Sequence, residues 1–208
     1  HHILTAQTEP QVSGINGVEW DAVELPSQFL ENFAWEHEIV KSISAHVETG
    51  EQLPDELFDK MIAAKNYEAG AFCVRQVEFA LFDMLLHSAF DPKTDSVQAL
   101  LDSVRREVAV VFPPAWIRFP QSFSHIFAGG YGAGYYSYKW AEVLSADCFS
   151  AFEEEGVLNP DTGRRYLKEI LERGSSRDAI DNFVAFRGRK PELDPLLRLS
   201  GIIESQKH

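Results

Sequence analysis

The residues best suited to chemistry lie in one stretch, residues 125–138, which combines an imidazole, several phenols and four glycines. A tyrosine hydroxyl can donate a hydrogen bond to an oxyanion that develops during a reaction, and a histidine can exchange a proton near neutral pH. The candidates are the imidazole and three phenols spaced at helical intervals: His125, Tyr131, Tyr135 and Tyr138. The stretch therefore predicts a functional site.

Four glycines distinguish this stretch from ordinary core packing: Gly129, Gly130, Gly132 and Gly134. Because glycine costs conformational entropy, such a run indicates a loop that must bend or let another chain approach closely. If the following helix begins near Ala133, Tyr135 and Tyr138 share one of its faces, with Tyr131 on the loop before it.

Two alternatives to a catalytic role bear on the same stretch. An aromatic stripe at helical spacing is more often part of a hydrophobic core, and this alternative stays open. A phosphate-binding loop is disfavoured, because the glycine spacing matches neither the P-loop nor the dinucleotide-binding motif.

Composition narrows the class of protein. The 208 residues, 45% of them hydrophobic, are enough for one good core or two small ones. The formal net charge of −13 argues against nucleic acid as a partner, because phosphate binding needs a basic surface. We find no signal peptide and no stretch suited to a bilayer, so we expect a soluble cytoplasmic protein without a membrane partner. Cys73 and Cys148 are expected to be reduced core residues, although a disulfide stays open.

The elements that must position these residues are predicted to be helices, because apolar residues recur at helical spacing and no strand pattern is convincing. The fold class is therefore all-α. The predicted helices cover residues 21–46, 54–67, 72–89, 96–112, 135–155, 161–172, 176–186 and 193–199. We divide the chain into a loop with a helix end (1–20), helices (21–112), an irregular connector with the glycine-rich loop (113–134) and C-terminal helices (135–208), all within one region.

The start of the first predicted helix determines where one carboxylate, that of Glu24, lies. Asp21 and Glu24 have the spacing of a capping box, which predicts Asp21 as the N-cap and Glu24 in the first turn. Pro26 fits this pattern only if the helix begins close to it or is kinked there. Either arrangement holds Glu24 at a helix N-terminus.

Several motifs, which run essentially from end to end, carry a resemblance to a known family. They are His1-His2 with Leu4-Thr5, the segment Glu24-Leu-Pro-Ser-Gln-Phe-Leu-Glu-Asn-Phe33, residues 123–140, Arg187-Gly-Arg-Lys-Pro191 and Leu199-Ser-Gly-Ile202. Together they resemble the C-terminal part of the thimet oligopeptidase family of zinc metallopeptidases. The resemblance implies a multi-helix portion of a zincin-like oligopeptidase with irregular glycine-rich loops.

The resemblance also implies an activity and roles for single residues. The activity is that of a cytoplasmic zinc metalloendopeptidase that hydrolyses short peptides with zinc-activated water. Glu24 matches the family's third zinc ligand. The resemblance also places His125, Tyr135 and Tyr138 at catalytic positions of the family. It places Tyr131, Gly129 and Gly130 at substrate-binding positions.

One departure from the family pattern limits what this chain can do alone. The family's His-Glu-x-x-His motif, which supplies two zinc ligands and the general base, is absent, and His1-His2 resembles residues shortly after it. Catalytic zinc sites need about three protein ligands. We therefore expect a fragment that neither binds zinc tightly nor cleaves peptides, and whose partner is the missing N-terminal part of the same protein.

Two other functions compete with this interpretation. The chain can be a non-catalytic helical domain that binds peptides or acts as a scaffold, with the glycine-rich loop holding an extended chain. It can also be a purely structural domain, in which case the tyrosines should be buried and their hydroxyl groups paired internally.

Overall fold

Helices account for the regular structure of residues 1–203, which are the part of the chain that the computed structural model describes. No strand occurs among these residues, so the predicted all-α class is confirmed. The helices are α1 (Leu25–Phe33), α2 (His37–Ile43), α3 (Asp55–Lys65), α4 (Ala69–Ser88), α5 (Val97–Val108), α6 (Phe119–Ser122), α7 (Ser124–Phe127), α8 (Ser137–Glu155), α9 (Pro160–Tyr166), α10 (Ala179–Arg187) and α11 (Asp194–Leu199). A π-helical turn, Leu167–Leu171, continues α9.

The first predicted helix, residues 21–46, is wrong in both its start and its length. The structure has two helices there, α1 and α2, and Glu24 is the N-cap of α1, so the predicted capping box does not form. Pro26 explains the start, because it occupies the first turn, where its missing N–H would have had no helical partner.

Other helix ends differ less from the predictions. Ser96 caps α5 by accepting a hydrogen bond from the Ala99 N–H at 3.4 Å, and α5 ends at Val108, before residue 112. The connector that was expected to be irregular contains the two short helices α6 and α7. Gly188 ends α10 in the left-handed conformation, with φ of 75°, two residues after the predicted end at residue 186.

The chain forms two compact units. Unit 1 contains residues 1–67 and the chain from Trp140 onward, and unit 2 contains Glu68–Lys139. The core of unit 1 is made by α1, α8, α9, the π-helical turn and α10, and it includes Phe29, Phe149 and Phe183. The core of unit 2 is formed by Phe82, Leu101, Val104, Phe123 and Ile126.

The Arg187-Gly-Arg189 motif has a structural role in unit 1. Asp147 on α8 is fully buried, and its carboxylate accepts hydrogen bonds from Arg187 Nε at 3.1 Å and from Arg189 at 2.6 and 2.7 Å. The Glu192 N–H donates to the same carboxylate at 2.8 Å. Because a buried charge is tolerated only when it is paired and hydrogen-bonded, this network ties the segment after α10 to α8.

Both cysteines are free thiols. Cys148 is buried in the core of unit 1, and its burial raises the pKa of the thiol well above the usual value. Cys73 is half-buried on α4. Within residues 1–203, no helix is both long enough and apolar enough to cross a membrane.

Candidate functional site

The predicted catalytic residues all belong to unit 2 and lie on three consecutive segments of the chain. His125 is on α7, Tyr138 is in the first turn of α8, and Tyr131 and Tyr135 are on the segment between these helices, residues 128–136, which we call the Gly/Tyr loop. Helix α8 begins at Ser137 and not near Ala133, so Tyr135 precedes the helix and does not share a helical face with Tyr138.

The structure brings the four predicted rings into one group, the His/Tyr cluster. The ring centroid of His125 lies 5.9 Å from that of Tyr135, 6.2 Å from Tyr138 and 6.4 Å from Tyr131. Tyr131 and Tyr138 stack at 4.7 Å, and the rings of Tyr135 and Tyr138 are 5.3 Å apart. His125 is exposed and the three tyrosines are half-buried, so the cluster is an accessible surface of polar-tipped aromatic rings.

Tyr135 is held both by the core of unit 2 and by a hydrogen bond. Its ring packs against the core of unit 2, with centroids 5.0 Å from Phe123 and 5.8 Å from Phe79. Its hydroxyl donates a hydrogen bond to Gln76 Oε1 at 3.0 Å. The core-packing alternative therefore applies in part to Tyr135, whereas Tyr131 and Tyr138 are not among the residues of that core.

The glycines predicted to bind substrate are required by the backbone, each for a different reason. A Cβ atom on Gly129 would lie 2.9 Å from both the Cα and the carbonyl oxygen of His125, which is too close for any side chain. Gly130 has a φ of 82°, a left-handed conformation that glycine adopts without steric cost. Both residues are exposed, so the backbone here is open to an approaching chain.

A buried carboxylate on α4, which the sequence analysis missed, holds the Gly/Tyr loop. Asp83 is 1% exposed, and its carboxylate accepts hydrogen bonds from the N–H groups of Ala133 and Tyr135, both at 2.9 Å. His87 Nδ1 lies 2.8 Å from Asp83 Oδ1. The sequence signal that could have revealed these residues is a polar stripe, Gln76, Asp83 and His87, at intervals of seven and four residues on a largely apolar helix.

Glu24, the predicted zinc ligand, lies in unit 1. It is half-buried at the N-terminus of α1, a position that favours negative charge, and its Oε2 accepts a hydrogen bond from the Ser27 hydroxyl at 2.8 Å. The imidazole of His1 donates from Nε2 to the carbonyl oxygen of Val23 at 3.0 Å. This hydrogen bond ties His1 to the residue that precedes Glu24 in the sequence.

A metal would need more ligands than this region holds. Among residues 1–203, no group of three or more His, Cys, Asp or Glu side chains is arranged to bind a metal ion. Glu24 can supply one carboxylate, and a catalytic zinc ion needs about three protein ligands. Residues 1–203 alone therefore do not fit a catalytic zinc site.

Comparison with known proteins decides the family. The profile described as Peptidase family M3 matches residues 1–202, nearly the whole chain. The chain belongs to peptidase family M3. This agrees with the family that the sequence motifs resemble.

Individual relatives in this family are oligopeptidases. The chain is 57% identical over 203 residues to oligopeptidase A of Escherichia coli, an alignment that covers 97% of this chain and 30% of that protein. It is 33% identical over 203 residues to saccharolysin of Saccharomyces cerevisiae, with 97% and 28% covered. It is also 33% identical over 204 residues to the thimet-like oligopeptidase of Dictyostelium discoideum, with 97% and 30% covered. The chain thus spans about 30% of the length of the curated relatives it matches.

Proposed function

We propose that the chain is the C-terminal part of a zinc metalloendopeptidase that cleaves short oligopeptides. The observation that carries this proposal is the His/Tyr cluster, an accessible group of one imidazole and three phenols, in a chain whose similarity to oligopeptidases covers 97% of its length. We also propose that the protein acts in the cytoplasm, as the motif resemblance implies.

The cluster is suited to bind the oxygen of a peptide carbonyl while negative charge develops on it. His125 and Tyr138 can each donate a hydrogen bond to that oxygen, and a preorganised donor of this kind typically contributes a large part of catalysis in peptide hydrolysis. Tyr135 can donate to the same oxygen by exchanging its bond to Gln76, and Tyr138 by exchanging contacts that it makes within the chain. In this proposal His125, Tyr138 and Tyr135 are the catalytic residues of the chain.

The Gly/Tyr loop supplies the surface for the substrate backbone. Gly129 and Gly130 carry no side chain and are exposed, so an extended peptide can approach their main chain closely. The half-buried ring of Tyr131, stacked on Tyr138, forms the side of this surface. These features support binding of short peptides without selecting a particular sequence.

Glu24 is proposed to be one carboxylate ligand of a zinc ion whose other ligands come from a preceding part of the same protein. A bound zinc ion would supply an activated water and a positive charge next to the scissile carbonyl. The length of the relatives supports this arrangement, because the chain spans about 30% of the oligopeptidase A proteins that it matches.

The test uses a chimeric enzyme in which this chain replaces the matching 203 residues of Escherichia coli oligopeptidase A. We expect the chimera to cleave a short fluorogenic peptide, to lose activity with a chelator and to regain it with zinc. Glu24→Gln should lower kcat/KM by about 100-fold or more, since it removes a charged ligand. The matched control is Glu31→Gln, an exposed glutamate at the other end of α1, which should change kcat/KM less than about twofold.

Three results would contradict the proposal. One is chelator-sensitive peptide cleavage by the 208-residue chain alone. Another is a chimera whose activity does not depend on Glu24. The third is a folded chimera that binds the peptide and does not cleave it, which would favour a peptide-binding or scaffold function.

A further inference from the structure

We infer that Asp83 is the positioning residue of the Gly/Tyr loop, because its carboxylate fixes the backbone at Ala133 and Tyr135 and so sets where the His/Tyr cluster stands. The catalytic part of this inference rests on the proposed function. Its structural part concerns only contacts within unit 2.

Both oxygens of the Asp83 carboxylate are committed to the loop. Oδ1 accepts the Ala133 N–H and Oδ2 accepts the Tyr135 N–H, each at 2.9 Å. The carboxylate is 1% exposed, and hydrogen bonds that a charged acceptor makes away from water are stronger than those between neutral groups. Asp83 therefore acts as a two-point attachment of the loop to α4.

The backbone at Ala133 shows that the loop needs such an attachment. Ala133 has a φ of 57°, in the left-handed region that is disfavoured for any residue with a Cβ atom. A residue persists in this conformation only when its surroundings hold it there. The turn has its own hydrogen bond, from the Gly134 N–H to the Tyr131 carbonyl oxygen at 2.8 Å, and the hydrogen bond from the Ala133 N–H to Asp83 fixes this turn to α4.

His87 completes the attachment. Its Nδ1 lies 2.8 Å from Asp83 Oδ1, and its side chain is 32% exposed. A Cβ atom on Gly132 would lie 3.1 Å from His87 Nε2, so the loop passes close to this ring at Gly132. Asp83 and His87 are one helical turn apart on α4. Together they lie against the loop at Gly132, Ala133 and Tyr135.

The position of the loop decides the position of the proposed catalytic rings. Tyr135 follows the turn at Ala133 directly, and Tyr138 lies one turn further along the chain and contacts Tyr131, Tyr135 and His125. Misplacing reacting groups by about 1 Å can cost about 100-fold in rate. Release of the loop from Asp83 should therefore lower the rate of the chemical step more than the affinity for peptide.

The first experiment measures amide hydrogen exchange in the 208-residue chain. Asp83→Asn keeps the side-chain shape and replaces one acceptor oxygen with an amide group that cannot accept a hydrogen bond. We expect exchange at Ala133, Tyr135 or both to accelerate about tenfold or more, with the amides of α5 unchanged. Should this variant not fold, the same comparison uses Asp83→Glu, which keeps the charge and displaces the oxygens, and for which the same local acceleration is expected.

The matched control is Val104→Ala, which weakens the core of the same unit and removes no hydrogen bond to the loop, because the valine side chain is apolar. It should accelerate exchange throughout α4 and α5 and not selectively at the loop. Unchanged exchange at both loop amides in Asp83→Asn, or an equally selective effect of Val104→Ala, would overturn the inference.

The second experiment measures peptide cleavage by the chimeric enzyme. Asp83→Asn should lower kcat about 10- to 100-fold and change KM less than about threefold. Adding Ala133→Gly should recover part of kcat, because glycine adopts the left-handed turn without the hydrogen bond. Val104→Ala should keep kcat within about threefold at a temperature well below unfolding.

The two experiments separate the inference from the proposed function. A chimera that is inactive before any substitution would overturn the proposed function, and with it the catalytic role of Asp83, while the exchange data would still decide whether Asp83 fixes the loop. An active chimera in which Asp83→Asn lowers kcat no more than Val104→Ala does would overturn the positioning role and leave the proposed function standing.

Discussion

Gly129 shows at the scale of one residue how closely the chain passes itself beside the His/Tyr cluster. The atoms that a Cβ would meet belong to the backbone of His125 and cannot rotate away. We expect Gly129→Ala to destabilise the chain by about 1–3 kcal/mol, as overpacking does, and to lower kcat/KM of the chimeric enzyme about tenfold or more. Urea unfolding and peptide cleavage measure the two effects.

Gly163 in α9 provides the control for this substitution. Nothing lies within 4 Å of the position that its Cβ would occupy. Gly163→Ala should therefore stabilise the chain by about 0.5–1 kcal/mol, the usual gain in helix propensity, and leave cleavage unchanged. If Gly129→Ala proved as harmless as Gly163→Ala, the close approach of the loop to His125 would be wrong.

Residue types marked the stretch whose rings come together, although the predicted shared helical face of Tyr135 and Tyr138 does not form. His125 and the three tyrosines are close in sequence, and the glycines between them indicate a turn that folds this segment back on itself. The same reasoning could not find Asp83, because its partners are main-chain N–H groups 50 and 52 residues away. Every residue except proline carries such a group, so no sequence pattern marks those that a distant carboxylate will bind.

At the scale of the element, the cap of α5 tests whether helix ends contribute as expected. Ser96 accepts the Ala99 N–H, one of the donors that lack a partner within the helix. Ser96→Ala should destabilise the chain by about 1 kcal/mol. The comparison is Ser103→Ala on the exposed face of α5, where the Ser103 hydroxyl donates to the Leu100 carbonyl. That change should be neutral or slightly stabilising, and equal losses for both variants in urea unfolding would contradict a capping role.

Helices were predictable as elements, and their ends only where one residue decides them. Gly188 ends α10 because glycine alone adopts its left-handed φ without cost, so that end follows from the sequence. The start of α1 was missed because Pro26 and the apparent capping box gave conflicting signals, and the proline prevailed. The start of α8 was placed too early because the hydrogen bonds that the Ala133 and Tyr135 N–H groups donate to Asp83 hold residues 133–135 in a turn.

The division of the molecule into two units is a feature of the whole chain that its sequence pattern does not indicate. Unit 1 joins segments far apart in sequence: the ring of Phe29 on α1 stacks on that of Tyr166 on α9, with centroids 3.9 Å apart. An apolar stripe shows that a helix has a partner and does not show which helix the partner is. The resemblance of the motifs to a known family indicated the family of the chain and did not show which helices pack together.

The dependence of stability on pH is also a property of the whole molecule. Its direction follows from the carboxylates that accept hydrogen bonds from arginine side chains. Hydrogen bonding from Arg177 is the main cause of a lowered pKa for Glu169 in the folded chain, and hydrogen bonding from Arg165 does the same for Glu155. A carboxylate whose pKa is lowered by folding contributes stability above its unfolded pKa, which is about 4.5, and loses that contribution as the pH falls through the folded value. Glu36 acts in the opposite direction, because burial raises its pKa.

Arg177→Gln tests this dependence directly. The variant should be less stable than the parent chain above about pH 4.5, and the difference should shrink below that pH as Glu169 becomes protonated in both proteins. Urea unfolding at several values between about pH 3 and pH 7 measures the difference. Lys60→Gln is the control, because Lys60 pairs with Glu56 where both side chains are largely exposed, so the change should be small at every pH. A difference for Arg177→Gln that stayed constant down to pH 3 would mean that Arg177 stabilises the fold through its bonds to Asn182 and the Glu169 carbonyl oxygen and not through the charge of Glu169.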